Sequence, residues 1–418
     1  MKQIIFYTIL LVAVSFYATK SQAQNLDKTE RIERLTKDVY YLADDKLKGR
    51  LTGTKGAKLA AKYISKEYKK LGLTPLFEKD FKHEFSYSYN PNPHGNGAAE
   101  KKEIIGNNVV AYLDNGANRT ILIGAHYDHL GGNEHHNSTD PNSAGQIHNG
   151  ADDNASGVAV LLELARALSQ NDETEKVNYI FACFSGEEDG LIGSKALALQ
   201  IHHDGTPLHT MINMDMLGRM NDKKSIIVGG VGTSPSFVDL VKNATPPEFT
   251  LTLDSSGIGP TDHTSFYLKE YPVLSFFTGS HSDYHKPTDD ADKINYEGMA
   301  DITAYIHTIL SAIEQLDTIP FTKTKVKASK KVPRYKVTLG IMPDYADYGD
   351  GLHIDAVTDE RPAFKAGLKT GDVLLKIDDC EVKEVYSYMG CLAKFKSGQT
   401  VLITYKREGK VMTTNLTF

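Results

Sequence analysis

Apolar residues recur every three or four positions over residues 27–43 and 54–71, the spacing of one buried helical face. In the second stretch Ala57, Ala60, Ala61, Ile64, Tyr68 and Leu71 share that face, and Gly72 follows as a stop signal. Residues 78–103 break the pattern. They are polar and turn-rich around Asn90-Pro91-Asn92-Pro93-His94-Gly95, and the expectation is a loop or irregular insertion. Further on, short apolar runs alternate with helical ones. Strands are predicted over 120–125, 177–184, 209–214, 225–228 and 273–277, and helices over 156–168, 191–200 and 297–316. Buried strands separated by helices imply an α/β class: a doubly wound, mostly parallel sheet flanked by helices on both faces.

The two ends of the chain depart from this pattern. Lys2, an apolar run over 4–18 and the small-x-small triplet Ser21-Gln22-Ala23 read as a signal peptide over 1–23. The run is shorter than the ~20 apolar residues a membrane span needs. No later stretch is apolar enough to span, so an exported product, periplasmic or extracellular, is expected. Residues 24–320 form the α/β unit. Residues 321–334 are basic and poor in apolar side chains, as in a solvated linker. A small β-rich unit over 335–418 completes a two-domain chain of 418 residues.

A net charge of −6 argues against broad phosphate-backbone binding, so no nucleic-acid partner is expected. There are three cysteines. Cys183 lies in an apolar run and reads as a buried small hydrophobe. Cys380 and Cys391 could pair in an oxidising compartment, which spacing alone does not decide.

The chemistry lies just after the predicted strands, where ligands gather in wound sheets. His126-Tyr127-Asp128 follows the first strand, and Asp152-Asp153 precedes the next helix. Glu187-Glu188, Asp215 and Ser282-Asp283-Tyr284-His285 follow three others. Imidazole and carboxylate together suit Zn²⁺. Two histidines and several carboxylates exceed the needs of one catalytic zinc. They suit two metals ~3.5–4 Å apart, bridged by a carboxylate and a water. Asp128 is placed to accept the His126 ring N–H. Neighbouring acids at a strand end point in different directions and so can divide labour between metal and water.

The motifs GAHYDH (124–129), NGADDNASG (149–157), FSGEEDGLIGS (184–194), INMDMLG (212–218) and SDYHKPTDD (282–290) resemble, in order, those of the co-catalytic di-zinc aminopeptidases. That group includes bacterial leucyl-type aminopeptidases and glutamate carboxypeptidase. The resemblance implies the zinc exopeptidase fold and two Zn²⁺ per chain. It implies that Asp152 bridges both metals, that His126 and Asp215 hold one, and that Glu188 and His285 hold the other. It further implies Glu187 as general base, Asp128 as the partner orienting His126, Tyr284 as oxyanion stabiliser, and a cis peptide between Asp152 and Asp153. The segment 261–266 resembles pocket lining in the same family.

Residues 335–418 resemble a PDZ domain. Leu339-Gly340-Ile341-Met342 looks like its carboxylate-binding loop, and 362–378 like its core. This implies an extended peptide or a protein C-terminus as partner. The sequence thus reads as an exported metallo-aminopeptidase acting on peptide substrates. The rivals are a carboxypeptidase-type amidohydrolase, a one-zinc glutaminyl cyclase on the same fold, and a catalytically dead peptide-binding scaffold. The short interval between Asp215 and His285 leaves little room for the lid domain of the first.

Overall fold

The computed structural model describes residues 28–77, 80–89, 102–135, 137–171, 173–324, 337–343, 350–357, 360–369, 371–383 and 385–418. The expected signal peptide and most of the expected linker lie outside them. In the first unit the strands are β1 (Thr74–Pro75), β2 (Lys82–Tyr89), β3 (Lys102–Leu113), β4 (Thr120–His126), β5 (Asn178–Phe184), β6 (Leu208–Met214), β7 (Ser225–Gly229), β8 (Thr250–Leu253) and β9 (Val273–Phe277). The helices are α1 (28–42), α2 (Lys55–Lys70), α3 (Gly157–Ser169), α4 (Ile192–His203), α5 (Phe237–Ala244), α6 (His263–Tyr267) and α7 (Tyr296–Glu314).

The strands form one mixed sheet in the order β1-β3-β5-β4-β6-β9-β7-β8, with β2 beside β3. Its centre, β5-β4-β6-β9, is parallel, and β3 and β7 join antiparallel on either side. Every residue of β4 and β5 is buried, which explains their unbroken apolar runs. One face carries α1, α2, α3, α5 and α7 on a core that includes Leu35, Ile64, Val160, Ile212 and Ile306. The other face packs Leu197 and Ile201 of α4 and Phe266 of α6 against Leu122 and Ile180.

The predicted α/β alternation is observed, but the reading of 78–103 is corrected. Lys82–Tyr89 is a strand, paired antiparallel to β3 along its whole length. Its alternating Phe85, Tyr87 and Tyr89 are a period-two signal that the polar residues between them obscure.

The parallel centre places the carboxyl ends of β4, β5, β6 and β9 along one edge, and a single side chain ties the loops there together. Arg50 is fully buried. Its Nε donates to the Tyr127 carbonyl at 2.7 Å, and Nη1 to the Leu42 and Asn149 carbonyls, each at 2.6 Å. Its Nη2 donates to the Gly150 carbonyl at 2.9 Å. Burial lowers the guanidinium to about 10 against the pull of nearby carboxylates, so it remains charged.

The second unit is an antiparallel sheet of β10 (Ile341–Pro343), β11 (Leu352–Val357), β12 (Val373–Ile377), β13 (Cys380–Glu381), β14 (Thr400–Arg407) and β15 (Lys410–Thr417). Helices α8 (Pro362–Lys365) and α9 (Val385–Leu392) accompany it. Its own core includes Leu339, Ile354, Leu374 and Ile403. Cys380 and Cys391 are disulfide-bonded, which spacing left open, and Cys183 is free and buried as expected.

Replacing Arg50 by Met leaves four buried carbonyls without their donor. The expected cost is about 3 kcal/mol or more, since each buried unpaired group costs ~1–3 kcal/mol. Urea unfolding in the presence of a chelator measures it, and an unchanged midpoint would refute the role.

Candidate metal centre

His126 closes β4, and the carbonyl of Asp128 accepts from its Nδ1 at 3.2 Å. A carbonyl can only accept, so Nδ1 carries a proton and Nε2 is the atom left to ligate. That Nε2 lies 3.2 Å from Asp153 Oδ1 and 3.4 Å from Asp215 Oδ1. His285 repeats the arrangement. Its Nδ1 donates to the Asn137 carbonyl at 2.9 Å. Its Nε2 lies 3.1 Å from Asp153 Oδ2 and 3.2 Å from Glu188 Oε2. Two imidazole Nε2 atoms therefore face opposite oxygens of one carboxylate, each with a second carboxylate beside it.

Asp153, not the expected Asp152, stands between the two histidines, and the cis peptide is Asp153–Asn154, one residue later than expected. Asp152 turns the other way. Its Oδ1 accepts from Gly218 N at 2.6 Å and Ser156 Oγ at 3.0 Å, and its Oδ2 lies 3.1 Å from His281 Nε2. Asp289 sets this orientation, because its Oδ2 accepts the N–H groups of both Asp152 and Asp153 at 2.9 and 3.0 Å. Gly150 enters the turn at φ +56°, and a Cβ there would meet the Asp153 carbonyl at 2.1 Å.

Glu187 and Glu188 follow β5. The Glu187 carboxylate can share a cation position with His126 and Asp215, and Glu188 can share one with His129 and Asp153. Burial pushes the Glu187 carboxyl well above its usual range, despite the pull of His126. Burial acts on Glu188 too, but His285 and His129 bring it down to about 2. The adjacent acids are thereby driven apart, as a divided acid and ligand role requires. Burial disfavours charge on His126 and His285, yet the carboxylates around them raise both well above the imidazole range.

Asp128 differs from its expected role in one respect. Its carboxylate is 3.7 Å from His126 Nδ1, and the ring is fixed by the backbone carbonyl instead. Asp128 Oδ1 accepts from the Glu187 N–H at 3.3 Å, and Oδ2 from Thr52 Oγ1 at 3.1 Å. Tyr284 stacks on His285 with centroids 3.9 Å apart, and burial raises its hydroxyl well above the phenolic range. His129 and Asp289 were given no role by the sequence reading. The His129 ring Nδ1 lies 2.7 Å from Glu188 Oε1, and its buried Nε2 makes no hydrogen bond.

These donors fit a pair of divalent cations. Two imidazole Nε2 atoms among carboxylate oxygens are the donor types such cations take, and Asp215 Oδ1 is buried without a hydrogen-bond partner. The group opens on a cavity of about 230 Å³. His126, Asp153, Glu187 and Asp215 line one side, and Ile227, Ile258 and Phe277 give it apolar walls. The 261–266 segment contributes Thr261 and His263.

Residues 108–310 match the model of peptidase family M28, and residues 335–418 that of a PDZ domain. A leucine aminopeptidase 1 of Uncinocarpus reesii is 28% identical over 209 residues, which cover 46% of this chain and 50% of that protein. The chain thus spans half the length of that relative. Among solved structures, the LapA aminopeptidase of Legionella pneumophila aligns with a TM-score of 0.52 at 18% identity, over 70% of this chain and 75% of its own. A glutaminyl cyclase of Fimbriiglobus ruber aligns with a TM-score of 0.55 at 18% identity, over 67% and 95%. At these identities the two structures establish the shared fold.

Proposed function

We propose, from a chain that carries a peptidase family M28 domain followed by a PDZ domain, that this protein is an exported di-zinc aminopeptidase releasing N-terminal residues from peptides. The observation that carries this reading is the Asp153 carboxylate, whose two oxygens each face a different histidine Nε2 at 3.2 and 3.1 Å. His126 and Asp215 would hold one cation, Glu188 and His285 the other, and Asp153 both. When bound, the pair supplies Lewis acidity toward the scissile carbonyl and an activated water.

This chain's own groups do the rest. Glu187, held through its backbone N–H by Asp128, takes the proton of the attacking water and returns it to the leaving amine. Burial raises the Glu187 carboxyl, the direction that taking up a proton from water requires. Tyr284 is placed beside His285 to donate its hydroxyl to the oxygen on which charge develops. The apolar walls of the cavity suit an apolar side chain on the residue released. A one-zinc cyclase would use only half of this donor set. The symmetry about Asp153 therefore favours the hydrolase.

Export is supported by the leader-like residues 1–23 and by the Cys380–Cys391 disulfide, a bond suited to oxidising compartments. No helix among the described residues is long and apolar enough to cross a membrane. The PDZ unit would take a peptide or protein C-terminus.

Glu187→Gln should keep both metals by elemental analysis yet lose ~10²–10⁴-fold in kcat on an aminoacyl p-nitroanilide. Near-normal turnover would refute the general-base role. Asp153→Asn and Asp152→Asn separate the two neighbours. The first should fail to hold a full pair of zinc ions. The second should retain both and lose about 2 kcal/mol of stability, the worth of a buried charged hydrogen-bond acceptor. The opposite pattern in metal content would return the bridging role to Asp152.

A further inference from the structure

The cavity beside the metal ligands is not walled by the catalytic unit alone. Pro343, the last residue of β10, lines it together with His126, Glu187 and Tyr284. The PDZ sheet therefore reaches the catalytic centre through the end of one particular strand. Among the described residues β10 hydrogen-bonds only to β11, so its other edge is open. Such an edge accepts an extended peptide as an added strand.

The direction of β10 decides which end of that peptide meets the metals. Leu339 and Gly340 precede β10 and form the loop that would hold a terminal carboxylate. Leu339 is anchored by its carbonyl, which accepts from Ala363 N at 2.8 Å. Gly340 turns the chain at φ +74°, and a Cβ there would meet Arg361 Cβ at 2.2 Å. The Arg361 stem thus packs against the loop, and Arg361 itself is exposed beside it. A peptide anchored there by its C-terminus must run antiparallel to β10, from Pro343 toward Ile341. Its N-terminal end then emerges at the catalytic cavity. Pro343 offers no N–H, and the pairing register shifts between Met342 and Pro343, so strand addition ends where the cavity begins.

We infer that one substrate molecule occupies both units at once: the PDZ edge holds the C-terminal carboxylate of a short peptide while its N-terminal residue lies at the metal centre. The module is then a substrate ruler, and the substrate class is short peptides with both termini free. This rests on the aminopeptidase reading above and adds the C-terminal requirement. At ~3.3 Å per residue, three peptide residues lie opposite β10, and further ones cross the cavity, so the preferred length exceeds four residues.

The test uses the full-length, zinc-loaded enzyme and peptides of two to ten residues with N-terminal leucine and C-terminal valine. Each is made as the free acid and as the amide, with leucine p-nitroanilide as baseline. Above four residues the free acid should exceed its amide by about tenfold in kcat/KM, carried by KM, because only the acid offers a charge to the loop. At two residues acid and amide should differ little, and beyond an optimum length the advantage should fall. Acid and amide within twofold at every length, with leucine p-nitroanilide turned over, would overturn the ruler alone. Absence of turnover on every substrate would overturn the peptidase reading and the ruler with it.

Discussion

The site depends on how one turn, residues 149–154, is held against the end of the sheet. Two buried groups of opposite charge grip it. Arg50 takes the carbonyls of Asn149 and Gly150, and Asp289 takes the N–H groups of Asp152 and Asp153. Between them they use the turn's outward donors and acceptors, so its backbone cannot rotate without stranding buried polar groups. Arg50 also holds the Tyr127 carbonyl and Asp289 also follows His285 closely in sequence, so the same pair ties the turn to loops that carry both histidines. Burial and repulsion from Asp152 raise Asp289 to about 6. The protein tolerates that acid because its carboxylate fixes which neighbour faces the two histidines.

The rest of the geometry follows from that anchor. A parallel centre puts His126, the Glu187-Glu188 pair and Asp215 at successive strand ends, but those ends alone leave each side chain free to choose a rotamer. Carbonyl acceptors from Asp128 and Asn137 fix the two imidazoles in one tautomer. The Glu187 backbone is fixed by the Asp128 carboxylate. Each contact joins residues from different elements, so the centre is rigid only in the assembled fold.

What the sequence revealed follows the range of the signal that encodes it. Apolar runs longer than the noise of composition gave the strands β4, β5, β6 and β9 and hence the edge on which the acids meet. His126, the Glu187-Glu188 pair and Asp215 come to that edge because each follows such a run closely, and His285 reaches it from the longer loop after β9. The choice between Asp152 and Asp153 could not be read this way. Both are acidic, both precede α3, and the difference lies in which backbone N–H groups a residue far along the chain, Asp289, captures. Ser156 is a local signal, since its hydroxyl, four residues on, donates to Asp152 and turns that side chain away from the two histidines. The strand β2 was hidden for another reason: polar residues alternate with its aromatic ones and mask their period. Nothing in its local sequence marks Arg50, which only tertiary closure buries.

An enzyme that trims free N-termini faces a difficulty that its metal centre cannot solve. The centre recognises an amine and a carbonyl, which every peptide and every folded protein with a loose end displays. Discrimination must therefore come from parts of the substrate remote from the reacting bond, where binding energy can be directed into orientation at the metals. An open sheet edge suits that purpose, because backbone pairing is blind to side chains and a carboxylate loop is blind to everything but a chain end. Joined in this order and direction, with Pro343 as the point where pairing stops, the two modules would read the distance between two termini. Such an enzyme would act on peptides already cut short by another protease and spare intact proteins, whose C-termini lie too far away or are folded out of reach.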